Sequence, residues 1–141
     1  MSQISTVLSP REVVERYLDT LYSQHRIDLV KELVAPNTWR QTPGGVVMLT
    51  IEESVTRIGA FLDRFTNIRF ISEVMVVQGS LVTAIWSAWL KSTEGKDLEL
   101  GGIEVFRVVE GKIVEVWNQE PAASRGVWQA SRVTEALGED K

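Results

Sequence analysis

Apolar residues recur at helical spacing in three segments of the N-terminal half of the chain. The first and third segments follow capping boxes, Ser9-Pro10-Arg11-Glu12 and Thr50-Ile51-Glu52-Glu53, which are typical of helix N-termini. The first stripe extends to about Tyr22, the second covers residues 27–34, and the third extends to Phe65. The pattern therefore predicts three helices, the second of which ends before Pro36.

After the third helix the spacing of apolar residues changes to two, the period of a strand with one buried face. This spacing predicts an antiparallel run of strands at residues 68–77, 81–92, 98–109 and 112–120. A further short strand is expected at residues 38–42, before a loop that starts at Pro43-Gly44-Gly45. Gly101-Gly102 inside a strand indicates a bulge or a sharp bend. Helices on one face of a bent sheet make an α+β domain.

The composition narrows the possible functions. With 141 residues, of which 44% are hydrophobic, the chain is long enough for one domain with one core. A net charge of −4 and 15 scattered basic residues argue against nucleic acid as a partner. The absence of cysteine excludes disulfides and thiol chemistry and favours a reducing, cytoplasmic compartment. With His25 as the single histidine and no cluster of histidine and carboxylate residues at ligand spacing, we expect no metal site. We also expect no cofactor.

The chain also lacks the sequence signals of membrane proteins and exported proteins. Its first ten residues contain no basic region followed by an apolar one, as a signal peptide would. No stretch approaches the roughly 20 apolar residues of a membrane span. We therefore expect no membrane partner.

Three strings carry a resemblance to a known family: VVERYL at residues 13–18, GIEVFRV at 102–108 and EGKIVEVWN at 110–118. Together with the order of elements, they resemble the SnoaL-like and ketosteroid isomerase-like branch of the nuclear transport factor two-like superfamily. The resemblance implies a cone-shaped, curved, mixed or antiparallel sheet, with three N-terminal helices enclosing a pocket. We divide the chain accordingly into an N-terminal tail (1–9), a SnoaL-like domain (10–121) and a C-terminal extension (122–141).

The fold of this branch leaves the reaction open, because its members include cyclases, isomerases, dehydratases, lyases and noncatalytic binding modules. Similarity to the ketosteroid isomerases implies that Tyr17 is an oxyanion-hole tyrosine and that Glu104 is its carboxylic acid partner. Thr42 replaces the general-base aspartate of those isomerases. Asn118 replaces the catalytic aspartate that polyketide cyclases tend to have in the last strand.

Glu104 is the central candidate for acid–base chemistry. It shares a strand face with Phe106, and a carboxylate beside an aromatic ring on a concave face loses hydration, which raises its pKa. The alternative is a solvated glutamate on the outer face. Tyr17 would donate a hydrogen bond to an oxyanion, or it would be a core tyrosine with another partner.

The parity of the strands supplies further candidates. Arg40 would hold an oxyanion or form a surface salt bridge, and either Arg40 and Thr42 or Trp39 and Gln41 face the pocket. The two tryptophans of the strand at 81–92 point to opposite faces, so one of them lines the pocket. The predicted substrate-binding side chains are Trp39, Gln41, Thr42, Trp86, Trp89, Phe106, Asn118 and Glu120.

These residues predict an enzyme of the isomerase, cyclase, dehydratase or lyase type. Glu104, Tyr17 and Arg40 would be its catalytic residues, acting on an apolar or aromatic small molecule. The alternatives are a noncatalytic ligand-binding module and a dimerising interaction domain. An outward tryptophan together with Trp117 predicts an apolar outer sheet face, and hence a homodimer through that face.

Overall fold

A computed structural model describes residues 7–119 and 126–138, and it contains the three predicted helical regions. The N-cap hydroxyls of Ser9 and Thr50 accept hydrogen bonds from the backbone N–H groups of Glu12 and Glu53, so both capping boxes are present. No helix in these described ranges is both long and apolar enough to cross a membrane. The helical elements are α1 (Pro10–Glu15) continuing as a π-helix (Arg16–Tyr22), a 3-10 turn (Ile27–Leu29) leading into α2 (Val30–Leu33), α3 (Ile51–Asp63) and α4 (Val133–Ala136).

Six strands form one curved, open, mixed sheet in the order β2-β1-β6-β5-β4-β3. Neighbouring strands are antiparallel, except that β1 and β6 are parallel. The α+β class is confirmed, and the four strands predicted in the C-terminal half are β3 to β6. The strands are β1 (Val34–Thr42), β2 (Gly45–Thr50), β3 (Phe65–Gln78), β4 (Leu81–Ser92), β5 (Asp97–Val109) and β6 (Lys112–Asn118).

Two predictions made from glycines are wrong. The loop expected from Pro43 onward is only a tight turn, in which Gly44 has a φ of 84°, and the apolar residues after it form β2 opposite β1. At Gly101-Gly102, where a bulge or a sharp bend was predicted, the bulge is wrong, because β4 pairs with β5 without a register shift through both glycines. These glycines instead make room for two tryptophan side chains near the candidate site.

The core lies between the helices and the concave face of the sheet. We call this concave face the inner face and the opposite one the outer face. Val13, Val14 and Leu21 of the predicted stripe are fully buried, and they share one core cluster with Phe106 and Val82 of the inner face. The helices therefore fill most of the cone, and the space that remains open is at one end of the sheet.

Candidate active site

A notch in the sheet creates the candidate site. Strand β5 extends beyond β6, and the pairing of the two strands stops at Glu104 opposite Asn118. Residues 97–103 of β5 therefore have no partner in β6, and β1 ends at Thr42 beside the same opening. A cleft of about 880 Å³ occupies this notch. Its lining residues are Gln41, Thr42, Pro43, Trp86, Leu100, Gly101, Gly102, Ile103, Glu104, Trp117, Asn118, Gln119, Gly126, Val127 and Trp128.

Glu104 lies on the inner face, lines this cleft and has two partners. Trp86 Nε1 donates a hydrogen bond of 3.0 Å to Glu104 Oε1. The guanidinium of Arg40 lies 3.7 Å from Oε2, and both charged side chains are only 12% exposed. The carboxylate thus has a hydrogen bond on one oxygen and an ion pair on the other, and it also lines the cleft.

Burial raises the pKa of Glu104 above the usual carboxyl value. The charge of Arg40, the hydrogen bond from Trp86 and the charge of Arg57 act in the opposite direction, in that order of size, without cancelling the rise. A carboxyl group of this kind can take up and release a proton closer to neutral pH than a surface glutamate can. This electrostatic setting is the one that a general acid or base requires.

Asn118 is an uncharged neighbour of this carboxylate, and Thr42 lines the same cleft. Asn118 lies directly opposite Glu104 in the β5–β6 ladder, so their side chains lie on one face, with Cβ atoms roughly 5 Å apart. Arg40 and Thr42 are the pair that faces inward. Gln41 faces the other way, where its amide donates a 2.9 Å hydrogen bond to Glu115, although it also reaches the edge of the cleft.

Tyr17 does not reach the cleft. Its hydroxyl forms a 3.2 Å hydrogen bond with that of Tyr22, and its ring packs edge-on against Phe106 at 5.7 Å. Burial, together with the neighbouring Tyr17, raises the pKa of Tyr22 well above that of a free phenol. Tyr17 and Arg40 line a separate chamber of about 10 Å³, which is only large enough for about one water molecule. The structure thus brings Glu104 and Arg40 together, whereas Tyr17 lies outside the cleft lining.

The predicted aromatic residues divide between cleft, core and outer face. Trp86 lines the cleft, whereas Trp89 lies on the outer face beneath the guanidinium of Arg69, 4.9 Å from its ring centre. Phe106 is fully buried in the core and lines neither cavity. Trp39 is 46% exposed on the outer face. The predicted binding residue Glu120 lies outside the described residues.

Sequence reasoning missed two parts of the cleft lining. Trp117 was expected on the outer face only, yet it borders the notch because β6 ends one residue later. Residues 126–128 also line the cleft, although they belong to the predicted C-terminal extension. The signal that could have indicated the second part was Val127-Trp128, an apolar pair in an otherwise polar tail.

Comparisons with known proteins agree with this fold. A family model described as SnoaL-like polyketide cyclase matches residues 12–124, whereas no protein with a curated description matches the chain. A provisionally assigned polyketide cyclase from Acidithiobacillus ferrooxidans is similar in structure, with a TM-score of 0.69 and 18% identity over 82% of this chain and 89% of that one. An LEH-like epoxide hydrolase from M. tuberculosis has a TM-score of 0.68 and 14% identity, over 82% and 85% of the two chains. A SnoaL-like polyketide cyclase from Agrobacterium tumefaciens has a TM-score of 0.66 and 13% identity, over 79% of this chain and 91% of that one.

Proposed function

The chain belongs to the SnoaL-like polyketide cyclase family, and from this premise we propose that it is an enzyme that performs acid–base chemistry on an aromatic or apolar small molecule. The observation that carries the proposal is the carboxyl group of Glu104, which opens into an aromatic cleft and has a raised pKa. Three indole rings line this cleft, those of Trp86, Trp117 and Trp128. Such walls favour a flat, apolar ligand.

The reaction that fits these groups begins with loss of a proton from a carbon next to a carbonyl. The Glu104 carboxylate takes the proton, and the electron pair moves onto the carbonyl oxygen to give an enolate. We assign the hydrogen bond to that oxygen to the Asn118 amide, because Asn118 lies opposite Glu104. In a cyclase reaction the enolate carbon then attacks a second carbonyl of the same molecule, and the resulting alkoxide takes the proton back from Glu104. In an isomerisation no carbon–carbon bond forms, and Glu104 instead returns the proton to a different carbon of a conjugated enolate.

We assign Arg40 and Tyr17 supporting roles in this reaction. Arg40 orients the Glu104 carboxylate and lowers its pKa from the level that burial alone would produce, so Arg40 is a positioning residue. The Tyr17 hydroxyl is already paired with Tyr22 and lies outside the cleft lining, so Tyr17 packs the core behind the site. Both roles differ from direct contact with an oxyanion.

Proton abstraction can be tested without knowledge of the natural substrate. We expect the protein to accelerate exchange of the hydrogens next to the carbonyl of α-tetralone, a two-ring aromatic ketone, in deuterated water. Loss of their proton NMR signals, compared with buffer alone and with heat-unfolded protein, measures the exchange rate. Binding of α-tetralone without faster exchange would contradict the enzymatic proposal and favour a binding module.

One observation favours that second candidate, a noncatalytic small-molecule-binding module. Among the described residues that line the cleft, Glu104 alone has an ionisable side chain. A reaction in this cleft must therefore use one carboxyl group first as base and then as acid. A binding module needs only the indole walls and the hydrogen-bonding groups of Asn118 and Gln41.

We also propose that the protein is a homodimer through its outer face. Six exposed apolar side chains lie on this face, on strands from one edge of the sheet to the other, and a monomer rarely exposes a large apolar surface. We expect Met48→Glu to convert a dimer to a monomer in sedimentation velocity runs, because a charge would be buried in the interface. A wild-type chain that sediments as a monomer at micromolar concentration would contradict this proposal. The exposed side chains, all between 46% and 59% accessible, are Trp39, Val46, Met48, Val74, Val76 and Ile103.

A further inference from the structure

Residues 126–128, which we call the C-terminal segment, attach to the part of β5 that has no β6 partner. The backbone N–H of Gly126 donates to the carbonyl of Glu99 at 2.9 Å. The indole N–H of Trp128 donates to the carbonyl of Gly102 at 3.3 Å. Both acceptors lie in the unpaired stretch of β5, so the segment uses carbonyl groups next to the notch.

The segment then crosses β5 onto the outer face of the sheet. The backbone N–H of Trp128 donates to the hydroxyl of Ser87 in β4, a side chain that is fully buried. The crossing requires a glycine at position 101, because a Cβ there would lie 2.8 Å from the carbonyl oxygen of Gly126 and 3.2 Å from Trp128 Nε1. The C-terminal segment therefore packs closely against β4 at Ser87 and against β5 at Gly101.

This contact places the indole of Trp128 in the cleft lining, on the opposite side of β5 from Glu104. Gly101 and Glu104 have opposite parity in the strand and lie about 10 Å apart along it. A ligand that contacts both Glu104 and Trp128 must therefore extend around the end of the sheet. Trp128 is 45% exposed, which leaves apolar surface for such a ligand to cover.

We propose that Trp128 is a specificity-determining residue that makes the cleft prefer flat, fused-ring ligands to single-ring ones. The inference deepens the proposed function and rests on its assignment of this cleft to an aromatic ligand. The family model ends at residue 124, so this selectivity is built by a segment beyond the matched domain. We expect a single ring bound near Glu104 and Asn118 to end before it reaches Trp128 on the other side of β5, and a three-ring system to contact both.

The experiment compares two probes by isothermal titration calorimetry: alizarin, a three-ring hydroxyanthraquinone, and phenol. Trp128→Ala is expected to weaken alizarin binding roughly tenfold, the loss of one good aromatic contact, and to leave phenol binding unchanged. Gly101→Ala is expected to do the same, since its Cβ displaces the segment without removing the indole. Leu137→Ala, which removes an exposed apolar side chain from the same C-terminal part of the chain, is the control and should bind both probes as wild type does. Thermal unfolding of each variant checks that the domain remains folded.

Each outcome decides the inference. Equal alizarin affinity in wild type and Trp128→Ala would overturn the role of Trp128 and leave the proposed function intact. An equal loss for alizarin and phenol would also overturn it, because Trp128 would then support the cleft without selecting its ligand. If wild type binds neither probe, the aromatic ligand class of the proposed function fails, and this inference fails with it.

Discussion

Replacing Glu104 by glutamine is expected to lower the rate of proton abstraction by about a hundredfold or more, the usual contribution of a general base. The amide keeps the size of the side chain and can still accept the hydrogen bond from Trp86, but it cannot take a proton. Binding should change little, since the indole walls are unaffected. The measurement is the exchange rate of α-tetralone in deuterated water, with the dissociation constant from calorimetry.

The pH profile separates a chemical role for Glu104 from a structural one. Because burial raises its pKa, the reactive carboxylate form increases with pH through a range above that of an ordinary glutamate, and the wild-type rate should rise there to a plateau. The rise should disappear in Glu104→Gln. The control is Glu115→Gln, which changes a carboxylate that is 24% exposed and paired with Arg107, outside the cleft lining. An equal loss of rate in both variants would contradict the assignment.

Truncation of Phe106 to alanine is expected to lower the free energy of unfolding by about 3–5 kcal/mol, the usual cost of removing a fully buried aromatic ring. The ring lies in the core between the inner sheet face and Tyr17, so its loss leaves a cavity. This is a large part of the roughly 5–15 kcal/mol that stabilises a domain. Urea unfolding measures the change.

A second substitution in the same strand calibrates the measurement for Phe106. Val109 is 43% exposed, and Val109→Ala should stay within about 0.5 kcal/mol of wild type. If Phe106→Ala loses ligand affinity but less than about 1 kcal/mol of stability, the ring belongs to the binding site, as its strand parity suggested. That result would place the pocket deeper in the cone than the notch.

Local signals made most of the fold predictable. Two capping boxes and a change of apolar period identified α1, α3 and the strands β3 to β6. Strand β2 was missed because the glycines after Pro43 indicate a turn, but do not reveal that the turn joins two paired strands. The parallel pairing of β1 with β6 has no local signal at all, since the partners are distant in sequence.

Strand parity predicted which side chains share a face, but not the other features of the candidate site. Parity and family resemblance identified Glu104, and parity limited the inward pair to two choices, of which Arg40 and Thr42 is the one observed. The hydroxyl of Tyr17 pairs with Tyr22 five residues later, and helical periodicity does not specify that contact. The notch exists because β5 extends beyond β6. Trp128 lines the cleft because the C-terminal segment crosses β5 at Gly101. Both are tertiary features.

The parallel pairing of β1 with β6 also determines when the site can form during folding. Strand β1 is made early, but its partner follows α3 and four further strands, so the chain must close a long loop before the two strands meet. Such distant pairings slow folding, and a nascent chain cannot form this one until β6 has left the ribosome. Until then Arg40 and Glu104 lie in strands that nothing yet joins, because β6 lies between β1 and β5. The helices and the β3–β4 hairpin can assemble before β6 is made, and Arg40 is brought to Glu104 only after β6 has paired with both β1 and β5.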